Sequence, residues 1–373
     1  MATINYLTAI EFDFGASARL KDIAASVGIR RPMLVTDPGL SAGDVMARIR
    51  SVLPDAVVFD KTPQNPTEDA VMAAAALFRD SGCDGLVALG GGSPIDLAKG
   101  VALMATHDGA LEPYAMIRGG LAKITAKIAP VIAVPTTAGT GSEVGRAALI
   151  TLRDGSKLGF ISPHMIPKVA VCDPELTLGL PPRLTAATGM DALTHCIETY
   201  LSPRVNPPAD AIALDGASRA ARWIRTAFIE GGNRDARWNM MMASLQGGLT
   251  FQKGLGAVHS MSHPLGGLKA PVLHHGTLNA VILPAVLRFN RSHAAEKIAA
   301  LERAVGVIGT DLASWIERLN ADLGLPPSLR AMGVTDDMIP RMVEGAMQDH
   351  STATNPRSLA RADFESLFKQ AMH

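Results

Sequence analysis

The sequence has few cysteines, no excess of charge of either sign and no long apolar run. Its three cysteines form no CxxC pair and no even-numbered set, which argues against a disulfide framework and favours a reducing compartment. Basic and acidic side chains number 35 each, so no global field attracts nucleic acid or an anionic membrane. No apolar run reaches the about 18 residues of a membrane span, and the start MATINYLTAIEFDFG lacks the pattern of a signal peptide. We therefore expect a cytoplasmic protein whose local sites carry its function.

The pattern of apolar residues changes near the middle of the chain. Between positions 31 and 173, short β-rich runs such as PMLVTD, GLVALG and PVIAVPTT alternate with alanine-rich helical segments. This alternation predicts an α/β domain with a mostly parallel sheet. Beyond position 180 helical periodicity continues to the C-terminus, and Pro181 and Pro182 interrupt both patterns. The sequence thus predicts an α/β domain over residues 1–180 and an all-helical domain over residues 181–373.

The segment TGMDALTH places a carboxylate and an imidazole four residues apart. In a helix Asp191 and His195 lie on one face, where they can share a divalent metal. Taken alone, either side chain is more often solvated or satisfied in a core. Further imidazoles follow in HSMSHPLGGLKAPVLHHG, and together they supply enough ligands for a mononuclear site. They are His259, His263, His274 and His275.

Two glycine-containing loops follow apolar strands. In GLVALGGGSPIDLAKG three glycines precede Ser93, the predicted N-cap, and Pro94, and such a helix N-terminus favours a phosphate. Taken alone, this turn is about as consistent with a structural role as with phosphate binding. The second loop, in VIAVPTTAGTGSEV, offers the hydroxyls of Thr136, Thr137 and Ser142. The two loops are predicted to converge at the sheet edge where open α/β sheets bind nucleotides.

Two charged residues are further cofactor candidates. Asp37 ends the strand of MLVTDPGL, where a carboxylate can accept from the adenosine ribose hydroxyls and repel a 2′-phosphate. A turn or capping role is the alternative for Asp37. Lys157, in DGSKLG, follows the second loop and could reach the cofactor, although a solvated lysine is the alternative.

Several motifs, spread in order along the chain, resemble those of the iron-containing, group III alcohol dehydrogenase family. They are GGGSPIDLAKG, PTTAGTGSEV, DPELT, TGMDALTHCIE, VHSMSHPLGG and HHGTLNAVILPAVLRFN. The resemblance implies a dinucleotide-binding α/β domain and a helical metal domain, in a dehydroquinate synthase-like architecture. It also implies NAD, with Fe(II) or Zn(II), in a cleft between the domains, and a homodimer or higher homo-oligomer.

The resemblance also assigns roles to individual positions. The metal ligands it implies are Asp191, His195, His259 and His275, with His274 as a competitor for the fourth place. His263 matches a histidine near the nicotinamide and substrate that does not bind the metal. Asp37 matches an acidic position associated with NAD rather than NADP. Gly91, Gly92, Ser93 and Asp96 match the pyrophosphate loop, and Thr136, Thr137 and Ser142 match the second cofactor loop.

These observations predict a metal-dependent NAD(H) oxidoreductase. It would interconvert a small primary or secondary alcohol, with diols and hydroxy acids such as 4-hydroxybutyrate among the candidates, and its aldehyde or ketone. One alternative is a dehydroquinate synthase-like lyase that uses metal and NAD in a redox-neutral cycle. It would need a basic pocket, and the modest density of lysine and arginine around the metal motifs argues against one. A non-enzymatic assembly protein that keeps the fold is the other alternative.

Overall fold

The computed structural model describes Ile4, Tyr6 and residues 8–373. Among these residues, six strands form one sheet: β1 (Ala9–Phe12), β2 (Pro32–Val35), β3 (Val57–Phe59), β4 (Gly85–Gly90), β5 (Val131–Pro135) and β8 (Val169–Cys172). Two more strands, β6 (Ala147–Thr151) and β7 (Lys157–Ile161), pair as a separate antiparallel hairpin. The order in the large sheet is β1-β8-β5-β4-β2-β3, and all its neighbouring strands are parallel.

The central strands are buried on both faces. All six residues of β4 and all five of β5 are buried, as expected for continuous apolar runs in a parallel sheet with helices on both sides. The covering helices are α1 (Leu20–Ser26), α2 (Asp44–Val52), α3 (Glu68–Asp80) and α4 (Gly92–Met104). One apolar layer contains residues of α3 and α4, and the other contains residues of α1 and α2.

The remaining helices follow β8. They are α5 (Pro182–Leu201), α6 (Pro207–Ile229), α7 (Arg234–Leu249), α8 (Ala257–Gly266), α9 (His275–Asn290), α10 (Ala295–Val305), α11 (Leu312–Asp322), α12 (Ile339–Gln348) and α13 (Arg361–Ala371). Pro182 is the first residue of α5, where a missing N–H is tolerated. Side chains of Asn206, Asn233 and Asp311 accept from backbone N–H groups and cap α6, α7 and α11.

The chain folds as two compact units. One contains Tyr6–Thr137 and Gly141–Leu178, and the other contains Gly179–His373 together with Ala138–Thr140. The first unit carries the sheet and the second carries α5 to α13, so the predicted fold class is confirmed. Within the part of the chain that the structure describes, no helix is both long and apolar enough to cross a bilayer.

The start of α4 differs from the sequence prediction. The helix begins at Gly92 with Gly91 as its N-cap, whereas Ser93 was predicted to be the cap. The Ser93 hydroxyl instead donates to the Gln64 carbonyl. The prediction was wrong because the chain enters the helix directly from the glycines. At Gly90 a φ of 147° requires glycine, and this conformation turns the chain from β4 into α4.

Candidate metal and cofactor sites

Three helices of the second unit bring four potential metal ligands together. Asp191 and His195 come from α5, His259 from α8 and His275 from the first position of α9. One donor atom from each lies within 4.8 Å of the others, and all but the half-buried His275 are buried. The structure thus assembles the four residues to which the sequence analysis gave the role of metal ligands.

The two α5 residues face each other across one helical turn. His195 Nε2 lies 3.6 Å from Asp191 Oδ1, as expected for positions i and i+4. Its Nδ1 lies 3.1 Å from the Gly139 carbonyl oxygen, which can only accept, so Nδ1 carries the proton and Nε2 presents a lone pair to the cluster. Burial lowers the pKa of His195 to about 4, although Asp191 acts in the opposite direction. The imidazole is therefore neutral near pH 7, the form that binds a metal.

His259 is held by a buried carboxylate that the sequence analysis did not identify. Its Nδ1 lies 2.5 Å from Glu198 Oε2, so this nitrogen donates and Nε2 faces the cluster. Burial alone would lower the pKa of His259, but Glu198 outweighs burial and raises it. A carboxylate behind the outer nitrogen is a common partner of metal-ligating histidines.

His275 reaches the cluster because α9 begins against α5. At Gly276 a Cβ would lie 2.2 Å from the Ala187 carbonyl oxygen, so only glycine permits this approach. As a result His275 Nε2 lies 3.7 Å from Asp191 Oδ1. His274, the other candidate for the fourth position, is the N-cap residue of α9 and does not belong to the four-residue cluster.

Asn279 also contacts the cluster. Its Nδ2 donates to Asp191 Oδ1 at 2.7 Å and lies 3.1 Å from Nε2 of both His259 and His275. The side chain is fully buried, and it lies one turn after His275 on α9. It therefore helps to fix the positions of three of the four ligand side chains.

The donor set fits a divalent transition metal. Three imidazoles and one carboxylate converge, and each of His195 and His259 is oriented by an acceptor at its outer nitrogen. Fe(II) and Zn(II) both accept such N/O ligands. Asp191, His195, His259 and His275 are thus the residues that would hold the ion.

His263, the predicted non-ligand, lies one turn after His259 on α8. Its Nδ1 donates to Asp349 Oδ2 at 2.7 Å, and its ring stacks on that of His275 with centroids 5.6 Å apart. The His350 ring also stacks on it, with centroids 5.9 Å apart. Burial alone would raise the pKa of Asp349, but His263 and then His350 hold it well below its usual range. The buried Asp349 therefore carries a negative charge that orients His263.

The predicted cofactor loops meet within the first unit. Gly90 and Pro135 are register partners at the carboxyl ends of β4 and β5, and Thr136 N donates to the Gly90 carbonyl at 3.0 Å. A Cβ at Gly91 would lie 3.2 Å from Thr137 Oγ1. The glycines and the threonines thus share one sheet edge, where the first turn of α4, including Gly92, presents backbone N–H groups.

Asp96 and Ser142 bond to each other. Ser142 Oγ donates to Asp96 Oδ1 at 2.6 Å, and Leu149 N donates to Oδ2 at 2.9 Å. Beneath them the fully buried Lys99 donates to the Ser142 hydroxyl and to the carbonyls of Ser142, Gly145 and Ala147, at 2.7–2.9 Å. These bonds tie α4 to the second loop, so both residues have a structural role in addition to the cofactor contact predicted for them.

The two charged cofactor candidates also have local partners. Asp37 Oδ1 accepts from the backbone N–H groups of Gly39 and Leu40, as in a turn cap. Lys157 Nζ, on β7, donates to Asn65 Oδ1 at 3.0 Å. Burial lowers the pKa of Lys157, with Asp96 acting in the opposite direction. Their contacts with a cofactor stay predictions.

Three residues of the metal-site region escaped the sequence analysis. Glu198 lies seven positions after Asp191, and Asn279 lies four positions after His275, so helical spacing could have indicated both. Asp349 lies 86 residues from His263, and no local pattern connects them.

Comparison with known proteins identifies the family. Residues 8–174 match the family model described as iron-containing alcohol dehydrogenase, and residues 185–372 match the C-terminal model of the same family. The chain is 56% identical to a 4-hydroxybutyrate dehydrogenase from Cupriavidus necator over the full length of both.

Two solved structures are similar over the whole chain. A 1,3-propanediol oxidoreductase has a TM-score of 0.93 and 37% identity, with both chains covered completely. A sulfoacetaldehyde reductase from Bifidobacterium kashiwanohense, solved with NAD⁺, has a TM-score of 0.88 and 29% identity, with 100% of this chain and 98% of that one covered. The chain belongs to the iron-containing alcohol dehydrogenase family, which uses NAD and iron, and is an NAD-dependent alcohol oxidoreductase.

Proposed function

We propose that the protein interconverts 4-hydroxybutyrate and its aldehyde with NAD(H), using a divalent ion held by Asp191, His195, His259 and His275. The convergence of these four donors within 4.8 Å carries the chemical part of the proposal. The substrate is supported by the full-length, 56% identity to an enzyme named for it. A short diol is the second candidate, favoured by the likeness to a 1,3-propanediol oxidoreductase.

Each residue of the site would have a separate task. When bound, the ion would polarise the substrate oxygen and the nicotinamide would exchange hydride. His263 would move the proton through Nε2, since its Nδ1 is held by Asp349. The Asn279 amide would keep Asp191 in the orientation that places Oδ1 beside His195 and His275.

Cofactor binding would use the edge formed by β4, β5 and α4. Gly91 and Gly92 would receive the pyrophosphate at the N-terminus of α4, and the Asp37 carboxylate would select NAD over NADP. The other residues proposed for the cofactor are Ser93, Asp96, Thr136, Thr137, Ser142 and Lys157.

We further propose a cytoplasmic homodimer or higher homo-oligomer. The three cysteines are free, and two of them, Cys172 and Cys196, are buried, which fits a reducing compartment. The oligomer is supported by membership of a family that often forms dimers. Light scattering coupled to size-exclusion chromatography measures the mass of the assembly, and a monomer would contradict this part of the proposal.

The test is NADH formation by protein purified without oxygen and reconstituted with Fe(II) or Zn(II). 4-Hydroxybutyrate, 1,3-propanediol, 1,4-butanediol and 1-butanol are compared with NAD⁺, together with a chelated sample and the variant Asp191→Ala. We expect kcat/KM to be highest for 4-hydroxybutyrate, and both controls to be inactive.

Other results would change the assignment. A higher kcat/KM for a diol than for 4-hydroxybutyrate would identify the substrate as a diol. Substrate consumption without net NADH would favour the dehydroquinate synthase-like lyase. Activity that survives complete removal of the metal would contradict the role given to the four ligands.

A further inference from the structure

Glu198 links the two helices that carry most of the metal cluster. It lies on α5, three residues after His195, and only 4% of it is exposed. Its Oε1 accepts from Val258 N at 2.7 Å, and its Oε2 accepts from His259 Nδ1 at 2.5 Å. Both oxygens are therefore used by the first turn of α8.

The first turn of α8 compensates the cost of burying this charge. A buried carboxylate is unfavourable unless it is paired and hydrogen-bonded. Here it receives a backbone N–H at a helix N-terminus, where a negative charge is stabilised, and an imidazole N–H. The same two bonds fix the position of α8 relative to α5 and the rotation of the His259 ring.

The bond from His259 Nδ1 also determines its inner nitrogen. Since a carboxylate can only accept, the proton of the neutral imidazole lies on Nδ1, and the lone pair lies on Nε2. That nitrogen lies 3.1 Å from Asn279 Nδ2, which also contacts Asp191 and His275, so it is the one that faces the cluster. Loss of the Glu198 carboxylate would leave the ring free to adopt the other tautomer, with N–H directed at the ion.

We propose that Glu198 is a positioning residue of the metal site, which fixes the tautomer of His259 and anchors the helix that carries His263. The inference rests on the proposed metal-dependent function. His263 follows His259 by one turn, which makes its placement dependent on the same anchor.

The experiment compares the metal affinity of three proteins. Zn(II) dissociation constants are measured by chelator competition for the wild type, Glu198→Gln and Asn355→Ala. Glutamine keeps the size of the side chain but removes the charge and one of the two acceptors. Asn355 is the control, because its Oδ1 accepts from Ala257 N in the same helical turn, while its other bonds go to Asn290 and the Arg357 carbonyl and none goes to His259.

We expect Glu198→Gln to bind Zn(II) about 10- to 100-fold more weakly than the wild type, as is typical for loss of a partner behind a ligating histidine. Its Co(II) form should show an altered visible absorption spectrum, and amide exchange in residues 257–266 should be faster. Asn355→Ala should share the faster exchange while keeping its Zn(II) affinity within about twofold of the wild type.

Two results would overturn the inference. One is wild-type Zn(II) affinity in Glu198→Gln. The other is an equal loss of Zn(II) affinity in Glu198→Gln and Asn355→Ala, which would mean that Glu198 acts only as a helix cap. A wild-type protein that binds no metal would instead contradict the proposed function itself. Because glutamine preserves the side-chain volume, circular dichroism should show that Glu198→Gln is folded.

Discussion

His263 donates its Nδ1–H to the buried carboxylate of Asp349 at 2.7 Å, although 86 residues separate the two in the chain. The residues that follow Asp349 are attached to α8 and to the segment just before it by two further side-chain bonds. Thr352 Oγ1 donates to Ser260 Oγ at 2.8 Å, and Thr354 Oγ1 donates to the Leu255 carbonyl at 2.6 Å. The aspartate is therefore held rigidly behind the imidazole, as a group that orients a general acid or base should be.

Asp349→Asn should lower kcat about 100-fold while leaving the bound metal unchanged. The amide removes the negative charge and can donate to Nδ1, which would turn the ring to the wrong tautomer. Steady-state kinetics and metal analysis of the same sample measure the two quantities. Thr352→Val, which loses the hydroxyl contacts with Ser260 Oγ and the Ala346 carbonyl but keeps Asp349, is the control and should keep kcat within about fivefold. Loss of metal in Asp349→Asn would mean that Asp349 supports the ligands instead.

His263→Ala should lower turnover and retain the metal, whereas His275→Ala should lose both. The two rings stack on each other, so the pair is matched in position, but only His275 belongs to the four-donor cluster. Loss of a positioned acid or base typically lowers the rate by about 10²- to 10⁴-fold. Metal content per chain, measured after gel filtration, separates the two roles. Equal loss of metal in both variants would make His263 a ligand.

Lys99→Met should lower the free energy of unfolding by about 2–4 kcal/mol, because the substitution removes the donor from the buried carbonyls of Ser142 and Gly145 and from the partly buried carbonyl of Ala147. Lys157→Met is the control: its Nζ contacts Asn65, and we expect a loss below about 1 kcal/mol. Chemical denaturation measures both. NAD binding should weaken in Lys157→Met if that residue contacts the cofactor, and an unchanged dissociation constant would remove it from the site.

The α/β and helical segments could be predicted from sequence because their signals are local. Apolar runs such as GLVALG produce fully buried parallel strands, and the spacing of Asp191 and His195 places both on one face of α5. The choice of His275 rather than His274 could not be predicted in this way. It depends on the contact of Gly276 with Ala187, which brings the start of α9 against α5.

The supporting residues of the site were less predictable than the ligands. Helical spacing from Asp191 could have indicated Glu198 as a residue near the site. Its bond to His259 and the bond of Asp349 to His263 join residues far apart in the chain, and a single sequence contains no record of those pairings. The N-cap of α4 was misplaced for a different reason. A serine before a proline is a strong local signal, but the geometry of Gly90 lets the helix begin two residues earlier than the local pattern indicates.

Two substitutions at Asp37 can separate a role in capping the turn from a role in selecting the cofactor. Its Oδ1 accepts from Gly39 N at 2.8 Å and from Leu40 N at 3.2 Å. Asn keeps an oxygen for these bonds and loses the charge, whereas Ala loses both. Asp37→Asn should therefore keep the wild-type melting temperature, while Asp37→Ala should lower the free energy of unfolding by about 1 kcal/mol.

Both variants should improve the use of NADP⁺ relative to NAD⁺ by about tenfold or more, since the carboxylate that would repel a 2′-phosphate is gone. The ratio of kcat/KM for the two cofactors measures this preference, and thermal denaturation measures the cap. If Asp37→Ala is destabilised while the cofactor ratio of both variants equals that of the wild type, then Asp37 is a turn cap alone and another residue selects the cofactor. A shifted ratio in Asp37→Asn at unchanged stability assigns the selection to the charge itself.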